Sequence, residues 1–312
     1  MIGIKSIASC VPEARIDNLI QGKHLHESEE FILKKIGALY LPQKKQEEET
    51  SDLAVESIRN LIRQSALETC DIDVIVVVTQ NGDGEGLPHT SAVVHQKLQL
   101  QSNVAAFDVS LGCSGYVYGL SIIKGFMEQA GFKNGVLVTA DPYSKVVSKE
   151  DRTTTLLFGD AATATWMGAS PDWLVMQPSL CTDGSGSEYL KVKDGTLAMN
   201  GRQVFNFASK RVPSQIRECL ANNDVEETEI DLYLMHQGSA SIVDAIAKRF
   251  PAIRERFTID LKGTGNTVSS SIPLLLEKEI QNKKNRRILI SGFGVGLSWA
   301  SNILSRSVKH DH

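Results

Sequence analysis

The stretch Ala106-Phe107-Asp108-Val109-Ser110-Leu111-Gly112-Cys113-Ser114-Gly115-Tyr116-Val117-Tyr118-Gly119-Leu120 carries the pattern on which the fold turns. An apolar run ends in small residues, presents one cysteine and passes at once into helical spacing at Tyr116, Leu120 and Ile123. The pattern reads as strand, tight turn and helix, with Cys113 at the helix N-terminus. Unpaired backbone N–H groups and the positive end of the helix dipole gather there, and both favour thiolate over thiol. Gly112, Ser114 and Gly115 leave the backbone open to a substrate carbonyl. The same residues also suit plain small-residue packing around a buried cysteine, so the rest of the chain must decide.

Working outward, residues 2–9 read as a strand that Pro12 ends. Thr50 or Ser51 is placed to cap a helix whose Ala54, Ile58, Leu61 and Ile62 share one face. Ile72-Asp73 leads into the β-branched run 74–78, the signature of a central strand covered on both sides. A helix around His95, a strand at 104–108, the Cys113 helix and a strand at 136–140 follow.

The second half repeats this order: a helix over 205–220, a strand over 230–235, a helix over 241–250, a strand over 257–261, a helix beyond Ser271 and a strand at 288–290. Ile72-Asp73-Val74 aligns with Ile230-Asp231-Leu232, and Phe107-Asp108-Val109 with Ile259-Asp260-Leu261. A period of roughly 150 residues is too long for a solenoid and reads as a duplicated α/β unit. Two such halves bring their strand ends together at the join, where ligand sites collect. Cys113, His236 and Asn266 all fall at such ends.

Composition narrows the class. The chain has 312 residues, 42% hydrophobic and 22% charged, which suits a folded globular protein. No apolar run reaches the roughly 18 residues of a membrane span, and a cytoplasmic location is expected. A net charge of −4 argues against a nucleic-acid partner. Five cysteines, Cys10, Cys70, Cys113, Cys181 and Cys219, lie scattered with no C-x-x-C pair, so neither a disulfide framework nor a metal site is implied.

A cysteine nucleophile suits thioesters, and acyl transfer onto Cys113 would give a covalent acyl-enzyme. If a malonyl thioester then loses carbon dioxide, the enolate oxygen needs hydrogen-bond donors. His236 and Asn266 have suitable N–H groups. Taken singly, His236 is equally a satisfied core histidine and Asn266 a turn residue. Gly292-Phe293-Gly294-Val295-Gly296 resembles a dinucleotide loop, but residues 297–304 alternate like a strand. It reads as a glycine turn between antiparallel strands whose N–H groups are candidates for half of an oxyanion hole.

At these residues the chain resembles the thiolase superfamily, and most closely the β-ketoacyl-[acyl-carrier-protein] synthase III family. The likeness rests on Ala106-Phe107-Asp108 through Cys113 and Gly115, Leu157-Phe158-Gly159-Asp160-Ala161, His236-Gln237, Gly265-Asn266-Thr267 with Pro273, and Gly292 through Trp299. It implies a five-layered αβαβα fold from two pseudo-twofold-related halves, residues 1–170 with the nucleophile and 171–312 with the histidine and asparagine. It also implies a homodimer, a Cys113-His236-Asn266 triad, and an oxyanion hole from the backbone N–H groups of Cys113 and Val295. No permanently bound cofactor is implied, only an acyl-coenzyme A or acyl-carrier-protein thioester as substrate.

Arg152 matches a family arginine at the coenzyme A tunnel mouth, and Phe31 stands where a tryptophan stacks on adenine. Lys35 and Ser241 replace two further arginines. Lys248 and Arg249 are expected to help hold an acidic carrier protein. Leu87 sits where a phenylalanine closes the acyl pocket of the neighbouring subunit, and Val295 interrupts a triple glycine. The reaction so implied is decarboxylative condensation with a malonyl thioester. Transfer of the acyl group to an amine, hydroxyl or sugar is the first alternative. A Cys-His-Asn hydrolase and a non-catalytic partner subunit are the others.

Overall fold

The computed structural model describes residues 1–307. Strand β1 (Ile2–Cys10) is followed by helix α1 (Thr50–Gln64), β2 (Val74–Val78), α2 (Thr90–Lys97), β3 (Ala105–Val109), α3 (Gly115–Ala130), β4 (Asn134–Ala140) and β5 (Ala162–Ala169). Then come β6 (Trp173–Val175), β7 (Ser179–Thr182), α4 (Gly201–Asn222), β8 (Leu232–Met235), α5 (Ala240–Ala247), α6 (Ser271–Glu279), β9 (Arg287–Gly294) and β10 (Ser298–Arg306).

The strands form one mixed ten-stranded sheet in the order β8-β9-β10-β6-β1-β5-β4-β2-β3, with β7 on β10. Parallel pairs sit toward the two ends, β8 with β9 and β2 with both β3 and β4. The two arms meet where β1 pairs antiparallel with β6.

Side-chain alternation turns these arms into layers. Val74, Val76 and Val78 face α3 residues Tyr116, Leu120 and Ile123 in one core. Leu234, Ile288 and Ile290 of the other arm reach the same core, beside Ile272 and Leu276 of α6. Helices α3 and α6 are therefore the middle layer. On the outer faces, Ile75 and Val77 pack on Leu53, Ile58 and Leu61 of α1, while Tyr233, Met235 and Leu289 pack on α4 and α5. The result is five layers, helix-sheet-helix-sheet-helix. Both faces of β2 are covered, each of its residues is 0% exposed, and each such valine stabilises by about 1.5–3 kcal/mol relative to exposure.

The aligned motifs repeat atom for atom. Asp73 Oδ2 accepts from the amides of Lys133 and Asn134 at 2.8 and 2.9 Å, tying β2 to the start of β4. Asp231 Oδ2 accepts from Arg286 and Arg287 at 2.6 and 2.8 Å, tying β8 to β9. A capped 3-10 turn precedes each aspartate, with Glu68 and Asp71 in one half and Glu226 and Glu229 in the other.

Two expectations need correction. Helix α1 is capped by Glu49 with Asp52 in a reciprocal box, not by Thr50 or Ser51. The Thr50 hydroxyl goes instead to Asn81 O, and Ser51 to Asp83 at 2.5 Å, because loop 79–83 packs on the helix start. Residues 257–261 form no strand, only one parallel bridge between Tyr233 and Phe257. The Gln237 side chain takes the ladder's place, donating to Thr258 O at 3.2 Å and accepting from the Asp260 amide at 3.0 Å.

Candidate active site

Cys113 sits just ahead of α3, whose N-cap is Ser114. The turn rests directly on β9, and glycine makes that approach possible: a Cβ on Gly292 would lie 2.5 Å from Cys113 O, and one on Gly294 2.8 Å from Sγ. The Ser114 and Ser298 hydroxyls, 2.8 Å apart, pin the turn to β10. The backbone amides of Cys113 and Val295 both favour the charged form of the sulfur. Val295 lies in the turn between the antiparallel strands β9 and β10, so the glycine-rich segment is the hairpin turn its pattern implied.

The helix end's preference for thiolate is outweighed. Burial, and then the carboxyl of Asp141, push the Cys113 thiol up to about 12 against the pull of the two amides. Desolvation outweighs the helix terminus here because Cys113 is only 4% exposed.

His236 ends β8 and continues its ladder, its amide donating to Ser291 O at 2.8 Å. Nδ1 lies 2.7 Å from Ser271 Oγ, at the first residue of α6, and that hydroxyl lies 3.0 Å from Val268 O. Nε2 is thus the nitrogen left for chemistry. The Phe293 ring stands edge-on to the imidazole, centroids 5.4 Å apart. Burial depresses the His236 pKa to about 3, so the ring is neutral at neutral pH.

Asn266 is bridged to Phe158, with its amide donating to Leu157 O at 2.8 Å and its carbonyl accepting from Gly159 at 3.1 Å. That explains the Leu157-Phe158-Gly159 motif: it braces the asparagine. The Val268 amide donates to Asn266 Oδ1 at 2.9 Å, which leaves Nδ2 as the free end. Val268 itself has φ 52°, a left-handed conformation costly for a β-branched residue. The strained turn faces both donors, holding Asn266 through its amide and Ser271 through its carbonyl.

Cys113, His236 and Asn266 line one cavity of about 440 Å³. Phe158, Leu190, Met199 and Val204 make its walls apolar. Phe31, Lys35, Arg152 and Ser241 line it too, toward an exposed end where Arg152 meets Glu27 at 3.2 Å. Lys248 and Arg249 do not line it: Lys248 pairs with Asp244 at 2.6 Å. Leu87 does not line it either and is 92% exposed.

Ser271, Glu27 and Tyr143 are site residues that the motif reading passed over. Ser271 opens a helix at the end of Ser269-Ser270-Ser271, and Tyr143 follows a strand end in Asp141-Pro142-Tyr143. Polar residues at such ends were the available signal.

Family profiles match two segments: 3-oxoacyl-[acyl-carrier-protein] synthase III over residues 107–184 and its C-terminal part over residues 220–306. A β-ketoacyl-[acyl-carrier-protein] synthase III of Streptococcus pyogenes serotype M5 is 33% identical over 320 residues, covering 96% of this chain and 98% of the relative. A crystal structure of a 3-oxoacyl-(acyl-carrier-protein) synthase III superposes with TM-score 0.92 at 32% identity over 97% of this chain and 99% of the other. The Thermus thermophilus enzyme of that name does so with TM-score 0.91 at 28% identity, over 98% and 99%. With the thiolase-type layers already in view, these similarities place the chain in the 3-oxoacyl-[acyl-carrier-protein] synthase III family.

Proposed function

We propose that this enzyme loads an acyl group onto Cys113 from a coenzyme A or carrier-protein thioester and condenses it with a malonyl thioester, releasing carbon dioxide. The observation that carries the reading is the convergence of a thiol, an imidazole and a carboxamide on one apolar-walled cavity.

In the loading step Cys113 Sγ attacks the donor carbonyl. The tetrahedral oxyanion lies at the amides of Cys113 and Val295, the donor C–S bond breaks, and the thiol proton leaves with the departing thiol. Because the resting thiol is held protonated, deprotonation accompanies attack. In the second step the malonyl C–C bond to the carboxylate breaks. The enolate oxygen accepts hydrogen bonds from Asn266 Nδ2 and His236 Nε2–H, the latter in the tautomer reached when the Ser271 hydroxyl turns its one proton from Val268 O to Nδ1. The enolate carbon then attacks the acyl–Cys113 carbonyl, the C–S bond breaks, and the departing sulfur takes a proton from solvent to restore the thiol. Two neutral donors suit this step, since neither needs to titrate near pH 7.

Residues 1–170 are in this reading the nucleophile half and 171–312 the donor half. The cavity end with Phe31, Lys35 and Arg152 takes the pantetheine arm, and surface cations such as Lys248 and Arg249 meet the acidic carrier. A homodimer is supported by β3, an end strand paired on one side only, whose five residues are all half-buried. Phe107, Phe126 and Phe132 stack edge-to-face there. Leu87 would then reach the neighbour's cavity. A cytoplasmic setting is supported by five free cysteines. Among the described residues no helix is long and apolar enough to cross a membrane.

The test is product formation from labelled acyl-coenzyme A and malonyl-carrier protein. A labelled 3-oxoacyl thioester with matching carbon dioxide is expected. Acyl transfer to amines or alcohols without carbon dioxide would replace condensation by the alternative reaction.

A further inference from the structure

Tyr143 has no task in the reaction above. It opens a short 3-10 turn (Tyr143–Lys145) after β4 and packs against Phe158, ring centroids 4.7 Å apart and planes tilted by 35°. It shares an apolar cluster with Cys113, Leu190, Leu197, Val204 and Val268, is 4% exposed, and lines the cavity. Among the described residues its hydroxyl makes no hydrogen bond. The hydroxyl opens onto the cavity with no protein partner, where phenylalanine would fill nearly the same volume without a donor. The partner is therefore expected from whatever fills the cavity.

What fills it beside Cys113 is the acyl group on the sulfur. Burial first, and then the nearby Asp141 and Cys113, hold the Tyr143 hydroxyl well above the ordinary phenol pKa. Its place in one apolar cluster with Cys113, on the same cavity, puts the side chain near the sulfur and so near the first few carbons of the chain. Burial raises the Asp141 carboxyl to about 7, and the same burial makes this a poor place for a second carboxylate. A neutral oxygen fits both conditions.

We propose that Tyr143 Oη donates a hydrogen bond to a hydroxyl or keto oxygen near the thioester of the acyl group on Cys113, so that short oxygenated acyl thioesters are favoured over plain alkyl ones. The inference rests on Cys113 being the acylated residue.

Intact-mass loading rates test it, using butyryl-, 3-hydroxybutyryl-, 3-oxobutyryl- and succinyl-pantetheine with the unaltered protein and Tyr143→Phe. One hydrogen bond to an otherwise orphaned donor corresponds to about a tenfold or larger preference. The unaltered protein should load the two neutral oxygenated donors at least about tenfold faster than butyryl, and succinyl slowest. Tyr143→Phe should lower the rate of those two relative to butyryl by about tenfold. Equal rates for butyryl and both oxygenated donors in the unaltered protein overturn the inference, whether or not the variant folds. So does a Tyr143→Phe effect that is the same for every donor. Acylation by none of the four overturns the acyl-Cys113 reading itself, a distinct result from acylation without preference.

Discussion

The two halves share anchors and differ in what they present. Asp73 and Asp231 make the same pair of hydrogen bonds to the next strand, and the faces of β2 and β8 divide their side chains between middle and outer layers alike. Past the anchors they part. The first half completes β3 and ends it in Cys113; the second reduces the equivalent strand to one bridge and ends it in Asn266. Asp108 caps α2 through two amides at 2.7 and 2.8 Å, whereas its sequence counterpart Asp260 makes a surface pair with Lys278 at 2.8 Å. Buried scaffold is constrained by packing, so it stays alike. Strand ends are free to carry different chemistry.

The division of labour predicts unequal variants. Cys113→Ala should abolish the acyl adduct in intact-mass measurement, while His236→Ala or Asn266→Ala should cut malonyl-dependent carbon dioxide release by about 10²–10³-fold and loading far less. Equal loss of both steps in the latter variants would erase the distinction between halves. Ser271→Ala should lower carbon dioxide release about tenfold with loading unchanged, and Ser271→Thr should restore it, because the hydroxyl positions the imidazole.

Burial holds both Cys113 of one half and His236 of the other in their neutral forms, and this too can be broken. With the thiol held up to about 12, thiolate grows with pH, so alkylation of Cys113 should climb about tenfold per pH unit through pH 9. A plateau near pH 7 would mean that the helix end wins over burial. The smallest effects concern the scaffold. Asp73→Ala and Asp231→Ala should each cost about 1–3 kcal/mol by urea denaturation. Asp108→Ala should cost about 1 kcal/mol or more as a lost cap, and Asp260→Ala less than about 0.5 kcal/mol. Equal costs for the last pair would restore an equivalence that the hydrogen bonds deny.

Periodicity made the layers readable, because β-branched runs such as 74–78 and the repeated Ile-Asp-Val and Ile-Asp-Leu anchors follow local rules. The proposed trio was readable through the repeat, which put three distant residues at comparable strand ends, and through the family resemblance carried by the motifs around them. The strand expected at 257–261 failed because a side chain, Gln237, stands in for backbone pairing, and alternation says nothing of that. The charge state of Cys113 failed for a related reason. A helix N-terminus is local and legible, while the burial that opposes it comes from β9 and β10, nearly 200 residues later along the chain by their position in the fold. Ser271 and Tyr143 declare themselves only when the cavity is closed around them.

The most direct test of the account is a single turnover. Cys113 is acylated stoichiometrically, the adduct is located by peptide mass, and malonyl-carrier protein is added while adduct and carbon dioxide are followed together. Loss of acyl from Cys113 and release of carbon dioxide should proceed with equal rates and in equal amounts. An adduct on another residue, or carbon dioxide released while the Cys113 acyl group persists, would contradict it.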